Sequence, residues 1–364
     1  MNTSEALIGL NMIGNLGSVK LSRLLEYFSK PEDIFKSGVS SLSRLGISAE
    51  TACKIISFDP AAIDAEISSA EKIGLKIVTL FDKLYPKNLL NISACPLVLY
   101  CLGDFLEQDN CAVAIVGSRR ASIYGLNCAS KFAGELAAKG VVVVSGLARG
   151  IDTYAHRGAL KAGGRTLAVL GSGFNQLYPP ENRKLAEEIS YQGVVISEFP
   201  LNTLPLPQNF PRRNRLISGL SLGVLVVEAA KNSGALITAD FALEQNRDVF
   251  ALPGKIDSFT STGVNLLIQQ GAKLVTCCDD ILEELYLPLE RSRHDSSNNR
   301  QEKENPLFDK DQQRLYHCIN ENAVSIDQLV ETSEFPPARL SRLLLDLRLA
   351  KLIKELPGKY FARN

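Results

Sequence analysis

From residue 112 onward the chain alternates short apolar runs with longer mixed segments. The runs fall at 112–116, 141–144, 166–170, 194–197, 224–227, 249–251 and 273–275. They are continuous rather than alternating, as expected of strands buried on both faces, and helical patterns at 126–139, 152–162, 181–191 and 235–246 separate them. Strand, helix, strand in regular succession predicts a parallel, doubly wound sheet of about seven strands, a Rossmann-like α/β core.

The flanks read differently. Residues 1–60 carry glycine-punctuated amphipathic segments, with Leu21, Leu24, Leu25 and Phe28 on one helix face and a similar unit around Leu45-Gly46-Ile47. They predict two helix-hairpin-helix-like units. Residues 61–110 hold a helix at 63–73 and strands at 76–80 and 97–101, and join the core in a domain spanning 61–286. Residues 287–306 are polar throughout and predict a flexible linker that contains His294. Helices at 309–320, 325–331 and 337–350, followed by strands around a Pro357-Gly358 turn, outline a winged helix over 307–364. Its third helix carries Arg339, Arg342 and Arg348, but also enough leucine to serve a core, so its target stays open.

Composition narrows the function classes. The 364 residues include 40 basic and 40 acidic side chains. A polyanion would therefore have to bind a local groove, not a uniformly basic surface. The eight cysteines form no C-x-x-C pair, which disfavours zinc ribbons and thioredoxin-type sites. The chain shows no signal-peptide pattern and no apolar stretch of membrane-spanning length, so a cytoplasmic protein without membrane association is expected.

The chemistry gathers after the strands. Gly117-Ser118-Arg119-Arg120 follows the first, Ser145-Gly146-Leu147-Ala148-Arg149-Gly150 ends the second, and Gly171-Ser172-Gly173 follows the third. Glu228 and Ser233-Gly234 come after the fifth. Phe210-Pro211-Arg212-Arg213-Asn214-Arg215 opens a further helix and places three arginines in four positions. Glycines let backbone amides approach an oxyanion, helix starts favour negative charge, and guanidinium forks match phosphate geometry. Several such loops on one sheet edge point to phosphate binding. Neither G-x-x-x-x-G-K-[ST] nor G-x-G-x-x-G is present, which argues against a P-loop nucleotidase and a hydride-transfer enzyme. Asp152 and His156, one helical turn apart, could be an acid–base pair or a polar contact supporting the loop before them. Glu198 and Glu228 follow strands without a visible base partner. No catalytic residue, metal ligand or cofactor site is assigned.

The segments Ile115-Val-Gly-Ser-Arg119, Ser145-Gly-Leu-Ala-Arg-Gly-Ile-Asp152, Ala155-His156, Phe210-Pro-x-Arg-Asn-Arg215, Ser233-Gly-x-Leu-Ile-Thr-Ala239 and Pro253-Gly254 resemble the DprA/Smf family. The likeness runs in order from about residue 85 to 285. It implies a non-enzymatic bacterial protein that binds incoming single-stranded DNA during natural transformation, protects it, and helps load the RecA recombinase. It also implies a homodimer formed through the core. Carried over by motif, Gly117, Ser118, Arg119, Ser145, Gly146 and Arg149 would line the DNA-phosphate pocket, completed by Phe210, Arg212, Asn214 and Arg215. Asp152, His156 and Glu228 would support the loops, and Arg213 would face solvent. Phe174, Tyr178 and Phe210 are the candidates for base stacking. The competing expectation is a nucleotide-processing enzyme of the lysine-decarboxylase-like phosphoribohydrolase type. Its P-G-G-x-G-T loop has no counterpart at residues 232–240. A pure adaptor whose terminal domains dock partners is the third reading.

Overall fold

The structure, a computed structural model, describes residues 1–14, 16–285, 310–319, 324–333, 335–349, 352–356 and 360–363. The chain divides into two compact units, 1–290 and 291–364. The predicted linker at 287–306 lies outside the described residues.

In the first unit, the strands are β1 (Lys76–Thr79), β2 (Val98–Gly103), β3 (Ala112–Val116), β4 (Val142–Ser145), β5 (Thr166–Val169), β6 (Val194–Ser197), β7 (Gly223–Val226), β8 (Asp248–Ala251) and β9 (Lys273–Leu274). They form one sheet in the order β1-β2-β6-β5-β4-β3-β7-β8-β9. The seven strands β3 to β9 pair in parallel, as the apolar runs predict. Beside β6, β2 runs antiparallel, and β1 runs antiparallel to β2, extending the sheet beyond the predicted core.

Both faces are covered, which explains why the strands are apolar at consecutive positions. Val113 and Ile115 pack under Phe132, Ala133 and Leu136 of the helix Ile123–Ala138. Ala112, Ala114 and Val116 point the other way, into a cluster with Leu216, Ile217 and Leu220. Burying one such aliphatic side chain contributes about 1.5–3 kcal/mol.

The N-terminal helices do not form a separate body, so the division expected at residue 60 is not a break in packing. Leu7, Leu10, Leu24, Ile55 and Ile63 share a hydrophobic cluster with Val98 and Tyr100 of β2 and with Leu201. Within this layer, Gly46 makes the predicted turn in the left-handed region at φ +82°.

The second unit has helices Lys310–Cys318, Ile326–Ser333 and Pro337–Leu349 with strands β10 (Val324–Ser325), β11 (Ile353–Leu356) and β12 (Tyr360–Arg363). The strands pair antiparallel in the order β10-β12-β11, giving the winged-helix outline. Leu340, Leu343, Leu344 and Leu347 fill its core, while Arg342 and Leu345 are exposed. The Pro357-Gly358 turn lies outside the described residues.

Candidate nucleic-acid interface

Strand order reverses at β3, whose neighbours β4 and β7 lead the chain away in opposite directions. Open α/β sheets bind ligands at such a switch point, beyond the carboxyl ends of the strands. All the glycine- and arginine-bearing loops emerge at this edge.

The first two loops are fixed to each other and to the sheet by buried polar contacts. Ser118 N donates to the Glu228 carbonyl at 2.7 Å, and the Glu228 carboxylate accepts from Ser122 N at 2.8 Å and from the Ser122 hydroxyl. Ile151 N donates to the Ser118 carbonyl at 3.2 Å. Gly150 sits at φ +76°, where a Cβ would lie 2.3 Å from that same carbonyl oxygen, so only glycine lets the loops meet. The Asp152 carboxylate accepts from Gly146 N at 3.1 Å and Ala148 N at 3.4 Å. Burial raises the Asp152 pKa, and the nearby charge of Arg213 opposes that rise. Asn182, which the sequence reading missed, donates to the carbonyl of Leu147 at 2.8 Å and to the Thr153 hydroxyl at 2.9 Å. It thereby holds Leu147 at φ +55°. Asn182 is distant in sequence and carries no local signal.

His156 and Asp152 do not pair. His156 is fully buried and its Nδ1 lies 2.7 Å from the Thr166 hydroxyl, which itself donates to the Val143 carbonyl. The imidazole is therefore the donor in that contact. Burial, reinforced by the charge of Arg213, lowers its pKa to about 3, so the ring is neutral and acts as a strut between helix and strand.

The arginines sort differently from the expectation. Arg213 does not face solvent. It is 3% exposed, its Nη1 donates to the Val169 carbonyl at 2.5 Å, and its guanidinium lies beneath Gly146. A Cβ on Gly146 would come within 1.9 Å of that nitrogen. Desolvation lowers the Arg213 pKa to about 10, which still leaves it charged at neutral pH. Arg215 is buried in an ion pair with Glu198, and Asn214 donates to the Gly234 carbonyl at 3.1 Å. Ser145 is also turned inward, donating to the Ile115 carbonyl at 2.6 Å.

Arg119, Arg149 and Arg212 remain exposed, and each lies against an aromatic ring. Arg119 stands 4.9 Å from the centroid of Phe210, and Phe210 meets Tyr178 edge to face at 6.0 Å. Arg149 stands 5.6 Å from the Tyr178 ring centroid and donates from Nη1 to the Tyr178 hydroxyl at 3.3 Å. The result is a row, Arg119–Phe210–Tyr178–Arg149, spanning the β3, β4 and β5 loops and the start of the helix Asn209–Gly219. Arg212 sits 5.4 Å over Phe199. Of the three stacking candidates, Phe174 instead packs against the hydrophobic core. Arg149 also pairs with Glu181, a solvent-exposed contact that a phosphate can replace. Two adjoining rings, Tyr178 exposed and Phe210 half-buried, flanked by exposed cations are the combination that holds a phosphate backbone and its bases without reading sequence.

Among the described residues no group of His, Cys, Asp or Glu is arranged to hold a metal ion, and no helix is long and apolar enough to cross a membrane.

Two family models match: DNA recombination-mediator protein A over residues 76–286, and the DprA winged helix domain over residues 299–359. The chain is 37% identical to Protein Smf of Escherichia coli, with 99% of this chain and 96% of that one covered. It is 44% identical to the DNA processing protein DprA of Bacillus subtilis, over 58% of this chain and 72% of the relative. The X-ray structure of DprA from Streptococcus pneumoniae matches with a TM-score of 0.69 and 36% identity, covering 78% of this chain and 99% of that one. A structure of DNA processing protein A from Helicobacter pylori, described for its single-stranded DNA binding mode, matches with a TM-score of 0.52 and 31% identity, covering 58% and 96%. The chain belongs to the DprA/Smf family of DNA-processing proteins.

Proposed function

We propose that this protein binds single-stranded DNA along the carboxyl edge of its sheet, shields it, and helps load RecA recombinase during DNA-mediated transformation. In this reading it works in the cytoplasm as a homodimer formed through the Rossmann-like core. The observation that carries it is the row Arg119–Phe210–Tyr178–Arg149, exposed at its two arginines and at Tyr178, with Arg212 beside it. Phosphates would rest on the guanidiniums and bases on the rings. Nothing in the row projects base-specific donors from a helix into a groove, so binding would be sequence-tolerant and weakened by salt. The single-strand binding described for the H. pylori relative supports the same ligand here.

A binding role fits these side chains better than phosphoribohydrolase chemistry. Glu228 spends its carboxylate on Ser122, and His156 is neutral and sealed in the core. Neither is free to act as a general base. The test is fluorescence anisotropy of the full chain with a labelled oligothymidylate and a duplex of equal length. Preference for the single strand, reduced by Arg119→Ala and Arg212→Ala, is expected. Equal affinity for both forms, or release of free base from nucleoside monophosphates, would count against it. RecA nucleation on single strands with and without the protein tests loading, and sedimentation equilibrium tests the dimer.

A further inference from the structure

The arginine–aromatic row occupies one side of the switch point. On the other side, the loops after β7 and β8 expose an unusual set of side chains. Ile256 is 96% exposed and Phe259 77%, beside Lys255, on a loop that is otherwise tightly built. Gly254 N donates to the Asn265 side chain at 3.2 Å, and Asn265 Nδ2 returns a bond to the Gly254 carbonyl at 3.1 Å. This loop is tied to the preceding one: Gly263 N donates to the Ala229 carbonyl at 2.7 Å, and Lys231 N to the Thr262 hydroxyl at 3.2 Å. The β7 loop is in turn bonded to the β3 loop through Ser118 and Glu228. Three loops thus form one hydrogen-bonded ledge continuous with Arg119. A cleft of about 420 Å³ opens on it, lined in part by Lys231, Ile237 and Asp240.

We infer that the ledge is a second segment of the single-strand track, in which Lys231 and Lys255 take phosphates and Phe259 stacks a base. The inference rests on the proposed DNA-binding reading. Continuity with the first segment and the presence of exposed cations and an exposed aromatic ring on the same hydrogen-bonded loops select this ligand. Lys231 and Lys255 are in no ion pair among the described residues, whereas Asp240 and Asp257 are the acids nearby. From β5 to β8 the sheet spans four strand spacings, about 19 Å. One strand can therefore cross the switch point only if it is longer than the first segment needs.

The test uses the full chain and labelled oligothymidylates of about 4 and about 16 nucleotides, the two ends of the range of site sizes known for single-strand-binding OB folds. With the long oligomer, Lys231→Ala/Lys255→Ala should reduce the slope of log affinity against log salt by about 1.4. Phe259→Ala should weaken binding at least about fivefold, the low end for a lost stacking contact. With the short oligomer neither should matter, while Arg119→Ala/Arg212→Ala should weaken both lengths. Unchanged slope and affinity with the long oligomer overturn the second segment alone. Indifference of both lengths to the arginine changes overturns the underlying reading as well. If Phe259→Ala instead splits a dimer and leaves the slope intact, the ledge is a protein interface and the inference is wrong.

Discussion

Replacing Arg215 by methionine should damage the fold and spare the chemistry of DNA binding. The motif invites the opposite expectation, because Arg215 sits in the arginine cluster. Its side chain is 9% exposed and its partner Glu198 7% exposed, in an ion pair facing the N-terminal layer. Asn11 Nδ2 holds the Glu198 carbonyl at 3.0 Å, and Leu201 N donates to the Glu66 carboxylate at 2.8 Å. Removing one member strands a buried carboxylate, which typically costs about 3–5 kcal/mol. For a unit of this size each kcal/mol lowers the melting temperature by about 2–4 °C, so a fall of about 6–20 °C is expected. Glu198→Gln should fall comparably, and Glu198→Gln/Arg215→Met should recover much of the loss, because the two sites are coupled. Thermal melts followed by circular dichroism measure this, and anisotropy well below the transition measures binding. The salt slope of Arg215→Met should match that of the unaltered chain. An unchanged melting temperature with lost single-strand affinity would falsify the assignment of Arg215 to the interior.

Three further outcomes follow from the geometry. Gly146→Ala drives a methyl into the Arg213 guanidinium and should destabilise by about 1–3 kcal/mol, read from the urea midpoint; an unchanged midpoint would mean that Arg213 moves aside at no cost. His156, whose folded-state pKa lies at about 3, stays neutral while the unfolded chain takes up its proton below about pH 6.5. Stability should therefore fall as pH drops from there toward 3, by at most about 1.4 kcal/mol per pH unit, and His156→Gln should lose that component. The raised pKa of Asp152 acts in the other direction, lowering stability as pH rises above about 3.9, and cancels in the comparison of the two proteins. Parallel urea-midpoint curves for both proteins would contradict the His156 assignment. Tyr178→Ala should weaken single-strand binding by about 1–3 kcal/mol with little change in salt slope, since a ring and not a charge is lost; an altered slope at constant affinity would point to a role through Arg149.

Much of the core was legible because a parallel sheet covered on both faces leaves uninterrupted apolar runs. The antiparallel edge was harder. Residues 76–80 and 97–101 are recognisable strands, but nothing local says that β2 pairs with β6. The packing of residues 1–72 on β2 and Leu201 was equally invisible, being decided by surfaces distant in the chain. The arginine cluster shows both cases within a few residues. Arg213 lies three and four positions before Leu216 and Ile217, in the middle of the face that the helix turns to the sheet. Helical periodicity could have placed it inside. In the pattern Phe-Pro-x-Arg-Asn-Arg the open position is Arg212, and it is the exposed arginine of the three. Arg215 projects from another side of the helix and is buried by its pairing with Glu198, with Tyr85 and Cys95 also close to it. No periodicity could have shown that. Likewise the pairing of His156 with Thr166 rather than Asp152 depends on the adjacency of β5 to the helix Ile151–Lys161, which spacing alone does not specify.

The most direct measurement is the salt dependence of single-strand affinity for the full chain and for Arg119→Ala/Arg149→Ala/Arg212→Ala. These residues are the exposed arginines of the row and its flank, and none is itself buried. The account predicts a modest fall in melting temperature from the lost ring contacts, a large loss of affinity at low salt, and a log–log slope shallower by about 2, the equivalent of three phosphate contacts. Wild-type affinity and slope in the folded triple variant would contradict it and place the DNA elsewhere on the molecule.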